Sequence, residues 1–300
     1  MSGDSGRRPT AGTRLQKYLA HAGVAARRRA EVEYIAAGRV TVNGRVVQDP
    51  AVRVRPGDDV RVDGRPVEPE ATVTLLVYKP VGVISAASDG RGRPTVVDLV
   101  PSGLGRLYPV GRLDTDSEGL LLVTNDGALT QALLHPRRGL PRTYAALVAP
   151  APSETQLRDL GVGAALSDGW ARAQQVTRLP GPPAGVAHAP QASGAGWLSL
   201  VLHEGRNREA RRLCAAVGLD VLRLVRTGFG PLVLSGLAPG AWRHLDAEEI
   251  VLLRRAAGRR PRVRGTMEPT PSAAERDGGG ARRKVKGERG PVGLQSGRRA

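Results

Sequence analysis

The sequence predicts an α+β fold in which a small N-terminal module precedes a larger second domain. Helical periodicity followed by an Asn-Gly turn between two apolar arms indicates two helices and a small sheet near the N-terminus. Further along, apolar runs bounded by turn residues alternate with short helical segments, which indicates a second sheet accompanied by helices. A chain of 300 residues, of which 40% are hydrophobic, is long enough for two such cores.

The N-terminal module is predicted to occupy residues 13–69, including a linker. Apolar residues recur on one helical face and Gly23 then ends the first helix. Asn43-Gly44 lies between two apolar arms, the strongest short indication of a β-hairpin. The predicted elements are helices at 14–22 and 27–37, a hairpin at 40–47, a strand at 59–62 and a Pro-containing linker at 65–70.

The second domain is predicted over residues 72–257. Its strands are expected where short apolar runs lie between turn residues, and its helices where a capping residue precedes an amphipathic segment. A Gly/Pro/Ala-rich segment at 180–196 is expected to be a flexible loop. The predicted strands cover 73–78, 120–123, 141–148 and 197–202, with further strands within 222–245. The predicted helices cover 128–134, 153–160 and 247–257, and one more helix begins within 203–214 and runs through 217.

The charge of the chain indicates a polyanionic partner. The net charge is +17 and the pI is about 11.3, so nucleic acid is the first expectation and an acidic membrane surface the second. Residues 258–300 hold twelve Lys or Arg against four Asp or Glu and are expected to form a disordered basic arm, and residues 1–12 a disordered tail.

The compartment expected from the sequence is the cytoplasm. No apolar run approaches the roughly 18 residues that a transmembrane helix needs, and the N-terminus has no apolar signal core. Cys214 is the single cysteine, which excludes an internal disulfide and a thiolate metal cluster. It is expected to be a small buried apolar residue rather than a nucleophile.

Basic residues gather near the starts of the two N-terminal helices. Side-chain charge and helix N-terminal amides converge there, which suits contacts with phosphate groups. A solvated basic face is the alternative. The residues concerned are Arg14, Lys17, Arg27, Arg28, Arg29 and Arg39.

Three carboxylates lie two residues apart in the loop that leads into the apolar run 120–123: Asp114, Asp116 and Glu118. A buried strand holds an adjoining loop carboxylate rigidly, as a reactive site requires. The loop is therefore a candidate site, and a solvated acidic turn is the alternative.

An arginine-rich segment at 203–214 forms a second candidate. Its four arginines within seven residues, Arg206, Arg208, Arg211 and Arg212, would neutralise a carboxylate or hold phosphates. His203 is a possible base, although packing in the core or on the surface is the expectation for it.

Several of these segments together resemble the pseudouridine synthases of the RsuA/RluB type. The matching phrases, in family order, are YKPVGVIS, RPTVVDLVP, RLYPVGRLD with the following strand and TNDG, and EGRNREARRL. The segment RLQKYLAHAGVAARRRAEVEYIAAGRVTVNGRVV resembles the S-four-type (alpha-L) RNA-binding domain, which often precedes the catalytic domain in that family. The resemblance implies a mixed, mostly antiparallel catalytic sheet.

The resemblance also implies roles for single residues. Asp114 would be the catalytic carboxylate, as a nucleophile toward the sugar or the base or as a proton acceptor. Tyr144 would stack on the target base, with core packing as the alternative. Arg211 would pair with Asp114 and keep it ionised. Arg142, which stands where lysine is commoner in the family, would contact RNA. Apart from the resemblance, the position of Arg112 beside Asp114 suggests that it supports the position vacated by the flipped base or binds a phosphate.

The activity implied is isomerisation of uridine to pseudouridine in ribosomal RNA, with a flipped-out target and no cofactor or metal. Large-subunit RNA is favoured and small-subunit RNA is the runner-up, as naked RNA or within a pre-ribosomal particle, with the enzyme a monomer and no membrane partner. Two other classes compete: a non-catalytic RNA-binding assembly factor, and a glycoside hydrolase that pairs Asp114 with Asp116 or Glu118.

Overall fold

The structure is a computed structural model that describes residues 12–186 and 193–258. The predicted tails, residues 1–12 and 258–300, lie outside the described residues apart from Gly12 and Gly258. The centre of the predicted loop at 180–196 also lies outside them. In the two described ranges, no helix is long and apolar enough to cross a membrane.

Two short helices lie near the start of the N-terminal module. α1 (Leu15–His21) follows a two-residue strand, β1 (Thr13–Arg14). α2 (Arg27–Arg29) continues directly as a π-helical turn (Ala30–Ile35), so the second predicted helix is present but is α-helical only at its start. Apolar side chains of both helices and of the following strands form the core of the module, among them Leu15, Leu19, Ala30, Ile35 and Val40.

A small antiparallel sheet completes the module. The predicted hairpin is confirmed, because Asn43 and Gly44 form its turn with φ of 54° and 77°, as a two-residue type I′ turn requires. The start of the predicted linker pairs with the sheet as an edge strand. The strands are β2 (Val40–Val42), β3 (Arg45–Val46), β5 (Val60–Val62) and β6 (Arg65–Pro66) in the order β3-β2-β5-β6, while β4 (Arg53–Val54) pairs with β1.

A nine-stranded mixed sheet forms the centre of the second domain. Its main path runs β13-β14-β10-β15-β9-β7-β17, with β16 paired to β15 and β8 paired to β9. Only the β15–β9 pair is parallel among these described strands, so the expected mixed, mostly antiparallel sheet is confirmed. The strands are β7 (Thr74–Lys79), β8 (Tyr108–Pro109), β9 (Glu118–Thr124), β10 (Arg142–Ala149), β13 (Gln175–Leu179), β14 (Gly196–Leu202), β15 (Asp220–Phe229), β16 (Leu232–Val233) and β17 (Trp242–His244), and a separate hairpin consists of β11 (Ala164–Leu166) and β12 (Gly169–Ala171).

The sheet carries helices whose starts agree with the predicted caps. Asp126 accepts hydrogen bonds from the first turn of α3 (Gly127–Leu134), and Ser153 forms a capping box with Gln156 at the start of α4 (Glu154–Val162). α5 (Glu209–Ala216) and α6 (Ala247–Gly258) follow the strands β14 and β17 respectively. Four helices of the second domain were thus predictable from capping residues and periodicity.

The parallel pairing of β9 and β15 depends on a glycine. Gly119 has φ of 107° and lies opposite Arg226, and a Cβ at position 119 would come within 2.4 Å of the Arg226 carbonyl oxygen. Glycine therefore allows the two backbones to approach at the point where the acidic loop enters β9. All seven residues of β9 are buried, which anchors that loop in the core.

Glu70 joins the N-terminal module to the second domain. Its backbone N–H donates to the His21 carbonyl at 2.9 Å, and its carboxylate accepts from the Arg106 N–H at 3.0 Å. Cβ atoms built at Gly23 and Gly105 would both collide with this carboxylate, so the two glycines make room for it. The predicted linker is therefore in close contact with both parts of the chain at its end.

Candidate functional site

A cleft of about 750 Å³ lies where the acidic loop, β10, β15 and the arginine-rich segment meet. Its walls combine charged groups with apolar side chains such as Leu134 and Phe229. Arg211 is not part of the lining. Six of the predicted site residues do line the cleft: Arg112, Asp114, Arg142, Tyr144, Arg206 and Arg208.

The loop that carries Asp114 is held on both sides of this residue. Leu113 exchanges two hydrogen bonds with Ser85, whose hydroxyl donates to the Leu113 carbonyl at 2.8 Å and accepts from its N–H at 3.0 Å. The Ser117 N–H donates to the Asp114 carbonyl at 3.0 Å. The Asp114 side chain is 29% exposed, so a carboxylate in a fixed backbone faces the cleft.

Arg208 stands between two carboxylates of the acidic loop. Its Nη1 lies 3.7 Å from Asp114 Oδ2, and its guanidinium forms two hydrogen bonds with Asp116 at 3.1 and 2.9 Å. Hydrogen bonding from Arg208 lowers the pKa of Asp116. Arg208 has φ of 48°, the left-handed region that costs a non-glycine residue energy and often marks a functional position.

The predicted partner of Asp114 is corrected by this geometry. Arg211 donates to the Asp116 carbonyl at 2.8 Å and to the Val221 carbonyl at 2.9 Å, and its Nε lies 3.4 Å from the Asp116 carboxylate. Arg211 is in the first turn of α5, which directs its guanidinium toward the start of β15. The ion pair with Asp114 comes from Arg208, which precedes the helix, and not from Arg211.

Tyr144 belongs both to the cleft and to the core. It lines the cleft from β10, opposite Arg226 of β15, and it packs against apolar residues of two neighbouring hydrophobic clusters. The Arg226 side chain, buried beside it, donates to the Leu120 carbonyl at 2.6 Å and interacts with Tyr144. Burial lowers the pKa of Arg226. Arg226 is a charged cleft residue that the sequence did not single out, because it lies in an otherwise ordinary strand.

Two of the predicted RNA-binding arginines hold backbone in place. The Arg142 guanidinium donates to the carbonyls of His203 and Glu204, each at 3.0 Å, and so fixes the turn before α5. Arg206 pairs with Glu204 and donates to the Trp170 carbonyl at 2.8 Å. The side chain of Arg112, in contrast, is exposed at the cleft.

Lys79 lies beneath the acidic loop and is fully buried. Its Nζ donates to the carbonyls of Pro80 and Val83, both at 2.9 Å, and thereby holds the turn after β7. Burial lowers the pKa of Lys79 to about 8, although the carboxylates of Glu118, Asp116 and Asp114 oppose this shift. The sequence around Lys79 predicts only the end of a strand, since nothing in the neighbouring residues indicates that this lysine is buried.

Glu118 has a structural environment that differs from that of Asp114. It is 5% exposed, pairs with Arg223 at 2.5 Å and accepts a hydrogen bond from the Tyr78 hydroxyl at 3.0 Å. Burial, followed by the nearby Glu118 charge, raises the pKa of Tyr78. Glu118, the third carboxylate of the loop, is thus hydrogen bonded to Arg223 and Tyr78 in the protein interior and does not line the cleft.

The N-terminal basic residues divide into two groups. Arg14, Lys17 and Arg27 line one pocket of about 410 Å³ together with Arg53, which the sequence analysis did not select. Arg53 donates to the Gly12 carbonyl at 2.7 Å, and this contact orients it in the pocket.

The other three lie outside that pocket. Arg29 pairs with Glu33 at 2.6 Å, and Arg39 forms two hydrogen bonds with Asp63 while lying 4.6 Å from the Tyr34 ring centroid. Arg28 is exposed. The structure therefore gathers half of the predicted N-terminal cations into one pocket and pairs two of the others with carboxylates.

Two further candidates have packing roles. His203 contacts the Gly139 carbonyl through Nδ1 at 2.5 Å and Gln174 through Nε2, so both ring nitrogens are engaged. Cys214 is buried, and burial raises the pKa of its thiol to about 12, which agrees with the expected apolar role. Within the described ranges, no group of three or more His, Cys, Asp or Glu side chains is placed to hold a metal ion.

Known families and structures resemble this chain over most of its length. The RNA pseudouridylate synthase family matches residues 73–216, and the S4 domain matches residues 13–60. A crystal structure of a pseudouridylate synthase superimposes with a TM-score of 0.54 and 25% identity, covering 81% of this chain and 100% of that one.

Several proteins with similar sequences are named as pseudouridine synthases. Ribosomal large subunit pseudouridine synthase B of Bacillus subtilis (strain 168) is 42% identical over 244 residues, which is 81% of this chain and 96% of that protein. The protein of the same name from Salmonella typhimurium is 40% identical, over 80% of this chain and 82% of its own length. An uncharacterized RNA pseudouridine synthase of Aquifex aeolicus is 39% identical over 82% of this chain and 95% of its own length.

Proposed function

The chain belongs to the RNA pseudouridylate synthase family, and we propose that its substrate is a uridine of large-subunit ribosomal RNA. The large subunit is favoured because relatives that are 42% and 40% identical carry that target in their names. Small-subunit RNA is the second candidate. The RNA is taken up free or within a pre-ribosomal particle, in the cytoplasm, by a monomeric enzyme without a cofactor.

One observation carries the proposed chemistry: Asp114 faces the cleft from a loop whose backbone is hydrogen bonded on both sides. The reaction breaks the bond between the sugar and N1 of uracil, rotates the base, and joins C5 of the base to the same sugar carbon. The proton on C5 then leaves and N1 regains one, so the product is an isomer of the substrate. A carboxylate beside the sugar and base is suited to act as nucleophile or as proton acceptor in these steps.

Tyr144 and Arg208 are proposed to assist Asp114 in different ways. Tyr144 would stack on the uracil after the nucleotide has left its helix, since its ring lines the cleft while its neighbours hold it in β10. Arg208, whose guanidinium lies 3.7 Å from the Asp114 carboxylate, would place a positive charge beside the reacting group. Arg211 would act indirectly, because it holds the Asp116 backbone and carboxylate.

The two parts of the chain are proposed to divide binding from chemistry. Residues 13–69 would form the RNA-binding module with its linker, and residues 72–257 the catalytic domain. Supporting this division, the N-terminal pocket presents four cations at one place, a suitable contact for the phosphate backbone. The predicted basic arm at 258–300 would add affinity that does not depend on sequence.

The proposal is tested by tritium release from RNA labelled at C5 of uracil. Unmodified large-subunit and small-subunit RNA would be compared as substrates of the wild type, Asp114→Asn and Asp159→Asn. Asp159 is an exposed acid on α4 and serves as the matched control.

We expect release from large-subunit RNA by the wild type and Asp159→Asn, and none by Asp114→Asn. Tritium release from small-subunit RNA and not from large-subunit RNA would show that small-subunit RNA is the substrate. Binding of RNA without release from either RNA, or from assembly intermediates, would contradict the catalytic proposal and favour an assembly factor.

A further inference from the structure

The hairpin formed by β11 and β12 exposes a tryptophan. Trp170 is 58% exposed, whereas Trp197 is 4% exposed and Trp242 packs edge-on against His244 at 5.7 Å. Aromatic residues make up only 3% of the chain, with three Trp, five Tyr and one Phe. A large aromatic side chain that is more than half exposed contributes little to the core and leaves its ring available for contact with a partner.

The hairpin is fastened to the segment that lines the cleft. Arg206 lines the cleft and also donates to the Trp170 carbonyl at 2.8 Å. Arg212 of α5 forms two hydrogen bonds with the Asp168 carboxylate, at 2.9 and 2.8 Å. A single arginine side chain, that of Arg206, therefore connects the backbone of Trp170 to the cleft, and the hairpin is also hydrogen bonded to α5.

The indole is supported from one side. A Cβ built at Gly163 would lie 2.7 Å from Trp170 Nε1 and 2.5 Å from the Ala171 carbonyl, so the indole edge rests on the backbone of residue 163. Val162, next to it, is 67% exposed and extends the apolar surface. The aromatic ring is thus held in position while more than half of the residue remains accessible.

The charges around the hairpin are suited to a polyanion. Asp168 in the hairpin turn is paired with Arg212, and Glu204 is paired with Arg206, the arginine that contacts the hairpin. Arg172, two residues after the tryptophan, is exposed. An exposed aromatic ring among arginines is the usual arrangement for binding unpaired nucleotides, since every base offers a π face for stacking.

We propose that Trp170 is a stacking platform for an unpaired nucleotide that flanks the target uridine. This inference rests on the proposed RNA substrate and adds a contact outside the cleft. Arg206 connects the two, because the same guanidinium lines the cleft and holds the platform. The nucleotide would be recognised by its π face, so the platform contributes affinity and the position of the strand without selecting a particular base.

The platform is tested by binding of a stem-loop RNA with unpaired nucleotides on both sides of the target uridine. Trp170→Ala removes the ring, Trp170→Leu keeps apolar bulk without a π face, and Trp170→Phe keeps a smaller ring. Val251→Ala, a truncation of an exposed apolar residue on α6, is the control. The dissociation constant, its salt dependence, and kcat and KM for tritium release would be measured, with thermal unfolding to verify that each variant is folded.

We expect the Kd and KM of Trp170→Ala and Trp170→Leu to rise about tenfold, the effect of one lost base–aromatic stack. Trp170→Phe should stay within about threefold, and kcat should change little in all variants. The slope of log K against log salt should be unchanged, because no phosphate contact is lost.

An unchanged Kd in both Trp170→Ala and Trp170→Leu would overturn the platform, as would a Trp170-dependent self-association seen by sedimentation without an effect on RNA. Because binding and tritium release are separate measurements, the two proposals fail separately. A tenfold loss of binding in a protein that releases no tritium keeps the platform and refutes the proposed reaction. If the wild type releases tritium normally and the Trp170 variants bind RNA as tightly as the wild type, the proposed reaction stands and the platform is refuted.

Discussion

The cleft and the N-terminal pocket both collect arginines, but these arginines have different partners. In the cleft region, Arg142, Arg206 and Arg208 are hydrogen bonded to carbonyls or carboxylates of the protein. In the pocket, Arg53 is also held by a carbonyl, that of Gly12, but Arg14 and Lys17 have no ion pair among the described residues. The same residue type thus organises the protein in one region and remains available to a polyanion in the other.

The local sequence accounts for this difference. Acidic residues are interleaved with the arginines around the cleft, at Asp114, Asp116, Asp168 and Glu204. The segments that build the pocket contain no acidic residue next to their cations, and residues 12–17 contain none at all. The charge of a paired cation is largely balanced by its carboxylate, whereas the charge of an unpaired cation remains available to phosphate.

The largest expected effect separates two carboxylates of the same loop. Asp114→Asn should reduce kcat by at least ~10³-fold, because the variant has neither a nucleophile nor a base at that position. Asp116→Ala should keep measurable activity, since Asp116 is held by Arg208 and Arg211. Tritium release under single-turnover conditions measures both. Equal losses in the two variants would indicate that the carboxylates act as a pair.

The next comparison concerns the two arginines of the cleft segment. Arg208→Gln should lower kcat on the order of 10²-fold, the effect of removing one charged contact to a reacting group. Arg211→Gln should mainly lower the free energy of unfolding, by about 1–3 kcal/mol, because the Val221 and Asp116 carbonyls lose their donor.

Steady-state kinetics and urea unfolding of both variants test this division. A larger loss of kcat in Arg211→Gln than in Arg208→Gln, without a loss of stability, would restore Arg211 as the partner of Asp114.

Removal of charge from the N-terminal pocket should weaken RNA binding without affecting chemistry. The double variant Arg14→Gln/Lys17→Gln should raise the Kd about tenfold and reduce the slope of log K against log salt by about 1.5 to 2. The matched control is Arg29→Gln/Arg39→Gln, which removes two cations that are paired with Glu33 and Asp63. Its Kd should stay within about twofold of the wild type. Equal effects of the two double variants would show that the pocket has no special role.

The last prediction concerns buried charge beneath the acidic loop, and it changes stability without changing RNA binding or the reaction. The folded-state pKa of Lys79 is about 8 and the model-peptide value is 10.5, so between these pH values the unfolded chain binds more protons than the folded one. Stability of the wild type relative to Lys79→Met should therefore rise with pH across this window, by up to about 1.4 kcal/mol per pH unit. Urea unfolding at pH 7, 9 and 10 checks the sign. If the difference in free energy of unfolding between the wild type and Lys79→Met stays constant or falls as the pH rises, burial does not lower the pKa of Lys79.

Elements defined by local physics could be predicted from the sequence. The hairpin at Asn43-Gly44, the strand through Leu120 and Val123, and the capped starts of α3 and α4 all follow from turn chemistry, apolar runs and side-chain caps. The mixed, mostly antiparallel sheet came instead from the resemblance. The parallel pairing of β9 with β15 has no local indication, because it joins residues about a hundred positions apart.

The partners of side chains in the cleft were harder to predict. Arg208 and Arg211 are three residues apart, and which one faces Asp114 depends on the left-handed backbone of Arg208 just before α5. That conformation is imposed by tertiary contacts and leaves no pattern in the sequence. Arg53 could not be predicted as a pocket residue for a similar reason. It lies in β4, which is brought beside the other pocket residues by its pairing with β1.

The division between binding and chemistry is tested most directly by single-turnover tritium release at increasing enzyme concentration. Wild type, Arg14→Gln/Lys17→Gln and Asp114→Asn would be compared at fixed salt. We expect the pocket variant to reach the wild-type rate once enough enzyme is present, and Asp114→Asn to stay at least ~10³-fold slower than the wild type at every concentration. A pocket variant whose rate levels off far below the wild type, or an Asp114→Asn rate that approaches the wild-type rate, would contradict the division.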